Sequence, residues 1–397
     1  MLDADLARLR LEFPILAQTN YMISNSLGAM PRGVEASLHE YASAWATRGV
    51  RAWADRWWGM AEEVGDAIAP LVGAPAASVS MHENVTSAHM SALSTLPPPG
   101  PRDTIVCTAA DFPSMIYLFR AQRALGYRVH VVPAEPDHTV DVSRVVDAID
   151  DRTALVAVSH VLFRSAFILD PVPIVSRARQ VGAPVMLDVY QSAGIIAVDL
   201  EALGVDFAAG GCLKWLCGGP GNAFLYTRPG VPGRTEPRFT GWMAHPAPFA
   251  FDLDTYEPLR HARRMQTGTP AIPAYYAALP GLRILRDVGV EAIRARSLML
   301  TQRLLDKVDV AGFTTVAPRD ASRRAGAVAV EVPDALQVAR TLNARGVVVD
   351  YRPGVGIRIA PHFYSTEHEV DGVVEAIAGI ARTRDYVTDA PGDSPVT

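Results

Sequence analysis

The chain has 397 residues, 49% of them hydrophobic, enough for a large core and about two to three domains. Its formal net charge of -5 excludes the basic footprint of a nucleic-acid binder or of a membrane-surface protein. No apolar run reaches the roughly 18 residues of a membrane span, and the opening MLDADLARLRLEF is too charged for a signal peptide.

From about residue 75, short apolar runs alternate with helical segments. SVSMHE (Ser78–Glu83), TIVCTA (Thr104–Ala109), RVHVVPA (Arg128–Ala134), ALVAVSHV (Ala154–Val161), PVMLDV (Pro184–Val189), FAAGG (Phe207–Gly211) and NAFLYT (Asn222–Thr227) read as strands. Several are apolar throughout, as strands buried on both faces are. Helical stretches such as Ser114–Gly126 and Asp170–Gly182 lie between them, each stopped by glycine. This alternation predicts an α/β fold with a mostly parallel seven-stranded sheet covered by helices. Ligands in such sheets sit beyond the carboxyl ends of the strands.

After about residue 280 the pattern changes. A long helical segment (Leu282–Val308) precedes AGAVAVEV, ALQVARTLNARG, VVVDYR, GIRIAP and a last helix near Glu367–Arg382, which together predict a small α+β domain. The expected division is an N-terminal segment, 1–45, packing with the small domain; a large domain, 46–280; the small domain, 281–385; and a disordered Pro- and Gly-rich tail, 386–397. Cys107, Cys212 and Cys217 lack zinc-finger spacing and cannot all pair, which suits a reducing, cytoplasmic setting.

Four features fall at strand ends. In ENVTSAH, residues such as Thr86 open a helix whose free N–H groups could hold an anion, or simply be capped. In DFPSMIY, Phe112 could stack on a flat ligand or belong to the core. In LDVYQS, Asp188 ends an apolar strand, with Gln191 three residues on. A carboxylate there needs a partner, such as a protonated ring nitrogen, unless it caps the next helix. The fourth is GGCLKWLCGGPG, which holds Lys214, one of only two lysines. The other, Lys307, lies on an amphipathic helix with a polar face. A desolvated lysine can form a Schiff base with a carbonyl, which an arginine cannot. Phosphate, ring face, ring nitrogen and aldehyde together describe pyridoxal 5′-phosphate (PLP).

At these residues the chain resembles the fold-type I PLP enzymes of the class V aminotransferase group, and kynureninases most. NSLG (Asn25–Gly28), RAWADRWW, ENVT, DFPS, the D-x-x-Q of Asp188 and Gln191, the Lys214 segment, TGW, TGTP and GIRIAP carry the resemblance over most of the chain. The resemblance implies that Lys214 binds PLP as an imine and then shuttles protons, while Asp188 pairs the ring nitrogen. It further implies that Phe112 stacks on the ring, that Val85 and Thr86 hold phosphate, and that Gln191 lies near the ring oxygen or phosphate. Trp242 and Thr269 would flank the phosphate across a homodimer interface, and Arg358 and Asn25 would bind the substrate. The implied activity is that of a lyase, hydrolase or aminotransferase on a small amino-acid substrate, through a quinonoid.

Three departures stand against kynurenine itself. Leu213 replaces the tyrosine that kynureninases carry before the lysine, Met115 stands where an acid is usual, and FRSAFILD lacks the polar, glycine-containing pattern. A substrate other than kynurenine is therefore expected, in a specialised pathway. A C–S or β-lyase, an aminotransferase and an authentic kynureninase are the alternatives. A dinucleotide-dependent oxidoreductase would need a glycine-rich turn after the first strand, and ENVTSAH contains no glycine. A non-catalytic binding protein on the same fold would have no use for Lys214.

Overall fold

The computed structural model describes residues 2–231 and 236–387. All seven expected strands form one sheet. After β1 (Asn20–Tyr21) they are β2 (Val79–His82), β3 (Thr104–Thr108), β4 (Arg128–Val132), β5 (Thr153–Ser159), β6 (Val185–Asp188), β7 (Phe207–Gly211) and β8 (Ala223–Thr227), in the spatial order β2-β8-β7-β6-β5-β3-β4. Only β8 runs against its neighbours, pairing antiparallel with β2 and β7. The other contacts, from β4 through β3, β5 and β6 to β7, are parallel. The carboxyl ends of β2, β3, β5, β6 and β7 therefore share one edge.

Burial explains why the centre of the sheet was readable. Every residue of β5, β6 and β7 is buried. Covering an aliphatic side chain contributes about 1.5–3 kcal/mol, so each such run favours a position with helices on both faces. Strand β4, at the edge, alternates between exposure and burial instead.

The small-domain strands are β9 (Thr314–Thr315), β10 (Val328–Glu331), β11 (Val347–Val348), β12 (Asp350–Arg352) and β13 (Gly356–Ile359). Four of them make an antiparallel sheet, β12-β13-β10-β9, over a core that includes Leu300, Leu304, Leu342 and Ile377. The run VVVDYR, expected as one strand, is split. Its first part, β11, pairs parallel with β1, while β12 joins the four-stranded sheet.

The expected single helix Leu282–Val308 is two, Ile272–Val288 and Val290–Val310. They meet at Gly289, whose φ of +86° suits glycine and interrupts the helix. The boundary expected after residue 280 falls inside the first of these helices. At the amino end, Arg10 forks onto both carboxylate oxygens of Glu369 at 2.8 and 2.7 Å. The helix Gly33–Arg48 lies instead on Ile272–Val288, with Ser37 Oγ donating to the Tyr276 carbonyl at 2.8 Å. The expected tail lies outside the described residues from 388 onward.

Candidate active site

The loops that leave the shared edge converge on one small cavity. Val85, His89, Phe112, Ser114, Met115, Ser159, Val161, Phe163, Asp188, Tyr190, Gln191 and Lys214 line it. The sequence had pointed to Val85, Phe112, Asp188, Gln191 and Lys214, and the fold brings these five together. Larger hollows elsewhere hold none of them.

Lys214 sits three residues beyond β7. Gly28 N–H donates to the neighbouring Leu213 carbonyl at 2.9 Å, which ties the NSLG segment to the lysine loop. By surface Lys214 is half-buried, but protein encloses its amine. Burial, with Arg358 second, pushes the amine down to about 7, against the pull of Asp188 and Asp350. A large share of it is then the neutral, nucleophilic form near neutral pH.

Asp188 is the last residue of β6 and is buried. Tyr190 N–H donates to its Oδ1 at 2.8 Å. Its Oδ2 faces His89 Nε2 at 3.6 Å, too far for a hydrogen bond. His89 is held neutral by burial, which lowers it to about 4, so this contact is not an ion pair at neutral pH. Burial raises the Asp188 carboxyl to about 6. Among the described residues no lysine or arginine forms an ion pair with it, and His89 Nε2 has no hydrogen-bond partner.

The helix Val85–Leu93 begins at this cavity. Asn84 takes the Ser87 N–H at 3.0 Å and Ser87 Oγ reciprocates, a capping box. A helix start leaves its first N–H groups without intrahelical acceptors, and those of Val85 and Thr86 fall between the cap, Asn84, and its partner Ser87. Phe112 is 45% exposed, edge-on to Phe163 at 5.3 Å between centroids, with the Lys214 amine 5.8 Å from its centroid.

The remaining candidates lie differently. Gln191 is engaged at both ends of its amide: Nε2 donates to the Asn25 carbonyl at 2.9 Å, and Oε1 accepts from Trp215 Nε1 at 3.0 Å. Asn25 is buried, and its Oδ1 has no partner. Arg358 is 3% exposed and gripped by Asp350, with Nε donating to Oδ1 at 2.8 Å and Nη2 to Oδ2. Its Nη1 donates to the Phe163 carbonyl at 2.6 Å. A guanidinium has five N–H groups, so these partners leave two unused, and neither Arg358 nor Asn25 lines the cavity. Trp242 is 41% exposed among Trp58 and Phe249, and Thr269 is exposed. Neither lines the cavity.

Sequence reasoning did not single out His89, Ser114, Ser159, Val161 or Tyr190, which also line the cavity, nor Asp350 behind Arg358. For Asp350 a signal existed. VVVDYRPGVGIRI reads as a hairpin, in which Asp350 and Arg358 are cross-strand neighbours.

The three departures also have places. Met115 is 2% exposed and packed in the core beside the cavity, with Ser159 Oγ 3.9 Å from its sulfur. Phe163 adds an aromatic wall, and Leu213 is half-buried. Lys307 lies away from the site, 3.4 Å from Asp371. The three cysteines are buried and free. No described helix is long and apolar enough to cross a membrane.

Residues 21–382 match the aminotransferase class-V family model. A kynureninase of Shouchella clausii is 31% identical over 397 residues, covering 96% of this chain and 92% of that protein. One from Bacillus cereus is 30% identical over 384 residues, covering 93% and 90%. Among solved structures, the apo cysteine desulfurase of Thermococcus onnurineus superimposes with a TM-score of 0.84 at 22% identity, covering 95% of this chain and 98% of that one. C-DES, in a variant with glycine covalently linked to the PLP cofactor, gives 0.84 at 20%, covering 95% and 99%. These likenesses fix the fold as that of the fold-type I enzymes. The chain belongs to the aminotransferase class-V family, as a kynureninase-like member.

Proposed function

We propose that the chain is a PLP-dependent enzyme acting on an L-amino acid, kynureninase-like in descent and diverged in substrate. One observation carries this reading. A buried carboxylate without a contacting cation and an enclosed amine of lowered basicity face the same cavity. Asp188 is complementary to a protonated ring nitrogen, and the unpartnered His89 Nε2 and Asn25 Oδ1 give polar contacts for cofactor or substrate. The residues present therefore suit PLP.

When bound, PLP supplies an electron-withdrawing ring that stabilises negative charge at the substrate's Cα. This chain's own groups do the rest. Lys214 Nζ would hold the cofactor at its carbonyl and, as a free amine, would take the proton from Cα and return it. Asp188 would pair with the ring nitrogen and favour its protonated form, and Phe112 would stack on the ring. The amides of Val85 and Thr86, with the helix dipole behind them, would hold the phosphate. Arg358 turns its two remaining N–H groups to the α-carboxylate, and Asn25 offers Oδ1 to the amino acid. Gln191 acts as a brace between Asn25 and Trp215 rather than as a ligand to the ring oxygen.

Trp242 and Thr269 would complete the site across a homodimer, where each would lie near the partner's phosphate. The exposed aromatic surface of Trp242, Phe249 and Phe251 supports an interface there. A cytoplasmic enzyme with free, buried thiols agrees with this reading.

The walls favour a substrate less polar than kynurenine. Met115, Val161, Phe112 and Phe163 present apolar surface where a polar side chain would lose its hydration. A panel of L-amino acids, including L-kynurenine and the sulfur amino acids, tests this. Each is mixed with PLP-loaded protein and followed by visible absorbance and product mass. Turnover of an amino acid with an apolar or aromatic side chain, faster than of kynurenine, is expected. Kynurenine as the best substrate overturns the divergence, and spectral silence with every amino acid overturns the activity.

A further inference from the structure

Tyr190 is the one aromatic residue of the site with no place in the chemistry above, and the chain makes room for it at Gly211. A Cβ added to Gly211 would lie 2.2 Å from Tyr190 Cε2 and 2.9 Å from Cζ. The ring therefore rests on the bare Cα at the end of β7. Its other anchor is its own amide, which donates to Asp188 Oδ1 at 2.8 Å. Held at these two points, the ring presents a face to Lys214, whose Nζ lies 4.4 Å from its centroid. The Phe112 centroid is 5.8 Å from the same amine. The amine thus lies near two aromatic rings, closer to the tyrosine.

We propose that Tyr190 is a positioning residue: seated on Gly211, it turns its ring face to the free Lys214 amine and stabilises that amine's charged form. The proposal rests on Lys214 being the reactive amine, not on which carbonyl it meets. The charges that act on this amine are Arg358 and Arg352, which disfavour the ammonium, and Asp188 and Asp350, which favour it. Burial is the largest influence and also opposes the charge. His89 is neutral, and burial keeps the Cys212 thiol and the Tyr190 phenol protonated, so none of these adds charge. The electron-rich face of Tyr190 is then an uncharged partner for the ammonium, of the kind that gains strength where water is excluded. An amine so held stays partly protonated near neutral pH and leaves the ring as a nucleophile when it loses its proton. The phenol oxygen is not required, so phenylalanine serves equally.

The chain's two lysines make the test direct. Full-length protein is freed of carbonyl ligands with hydroxylamine and dialysed. It is then acetylated with trace acetic anhydride across a pH series, and the acetylation of Lys214 is read against that of Lys307 by peptide mass spectrometry. Tyr190→Phe is expected to leave the Lys214 midpoint within a few tenths of a pH unit. Tyr190→Leu, which keeps bulk without a ring face, is expected to lower it by about one unit. Gly211→Ala, which pushes the ring off its seat, should move it the same way and decides the matter if the leucine variant fails to fold by near-UV circular dichroism. A midpoint unchanged or raised in the folded variants overturns the proposal, as does a fall in Tyr190→Phe equal to that in Tyr190→Leu. None of these outcomes depends on PLP binding, so failure of the functional reading would be seen separately.

Discussion

Asp350 and Arg358 face each other across the β12–β13 ladder, and the carboxylate grips the guanidinium through both Nε and Nη2. Asp350 is fully buried and also meets Arg352 Nη2 at 3.1 Å. The arginine expected to clamp a substrate is thus pre-set by a partner at its back. Asp350→Asn leaves a buried cation without its counter-charge. It should cost about 3–5 kcal/mol in urea unfolding and raise KM for the amino acid more than it lowers kcat. A variant of unaltered stability and KM would show that the pair does not set Arg358.

Gln191 distinguishes a brace from a cofactor ligand. Gln191→Ala removes the acceptor of Trp215 Nε1 and the donor to the Asn25 carbonyl. Cofactor-free protein should lose about 2 kcal/mol of stability, since buried polar partners are left unmet. Loss of PLP affinity with stability intact would point to the ligand role instead.

Asp188 should show a trade between stability and function. Its folded carboxyl lies at about 6, above its ordinary value of 3.8. The folded state therefore binds the proton more tightly, and this contribution is complete below 3.8 and lost as pH rises through about 6. Asp188→Asn keeps an acceptor for the Tyr190 amide but carries no charge. In cofactor-free protein it should match the parent near pH 4 and become the more stable of the two as pH passes about 6. The same variant should lose about 100-fold or more in turnover, because nothing then holds the ring nitrogen protonated. Equal stability of the two proteins at pH 8 would contradict the account of a carboxylate kept for the ligand.

A shared active site can be tested by mixing. Lys214→Ala lacks the reacting amine, and Trp242→Asp damages the surface assigned to the partner's site. Each homodimer should be inactive. After co-refolding, a mixed dimer carries one intact site, so part of the activity should return. No recovery, with mixed dimers proven by mass spectrometry, would place Trp242 outside the partner's site.

The strands of the large sheet were legible because burial on both faces writes itself as unbroken apolar runs, as in TALVAVS of β5. Lys214 stood out by its rarity, and Asp188 by ending such a run. What stayed hidden depends on contacts remote in sequence. His89 reads as one more residue of a helix until its ring is seen 3.6 Å from Asp188 at the end of β6. Tyr190 reads as a half-buried aromatic, and its seat exists only because residue 211, in another strand, has no side chain. The split of VVVDYR followed from competition between two sheets for neighbouring residues, which periodicity does not report. The break at Gly289 was readable in principle, since glycine is a poor interior helix residue.

The central claim is covalent, and reduction with borohydride tests it most directly. Protein incubated with PLP, reduced and digested should carry the phosphopyridoxyl mass on the peptide containing Lys214, with Lys307 unmodified. Lys214→Ala should show neither that mass nor the visible absorbance of the bound cofactor. Label on Lys307 alone, or on neither lysine, would contradict the account.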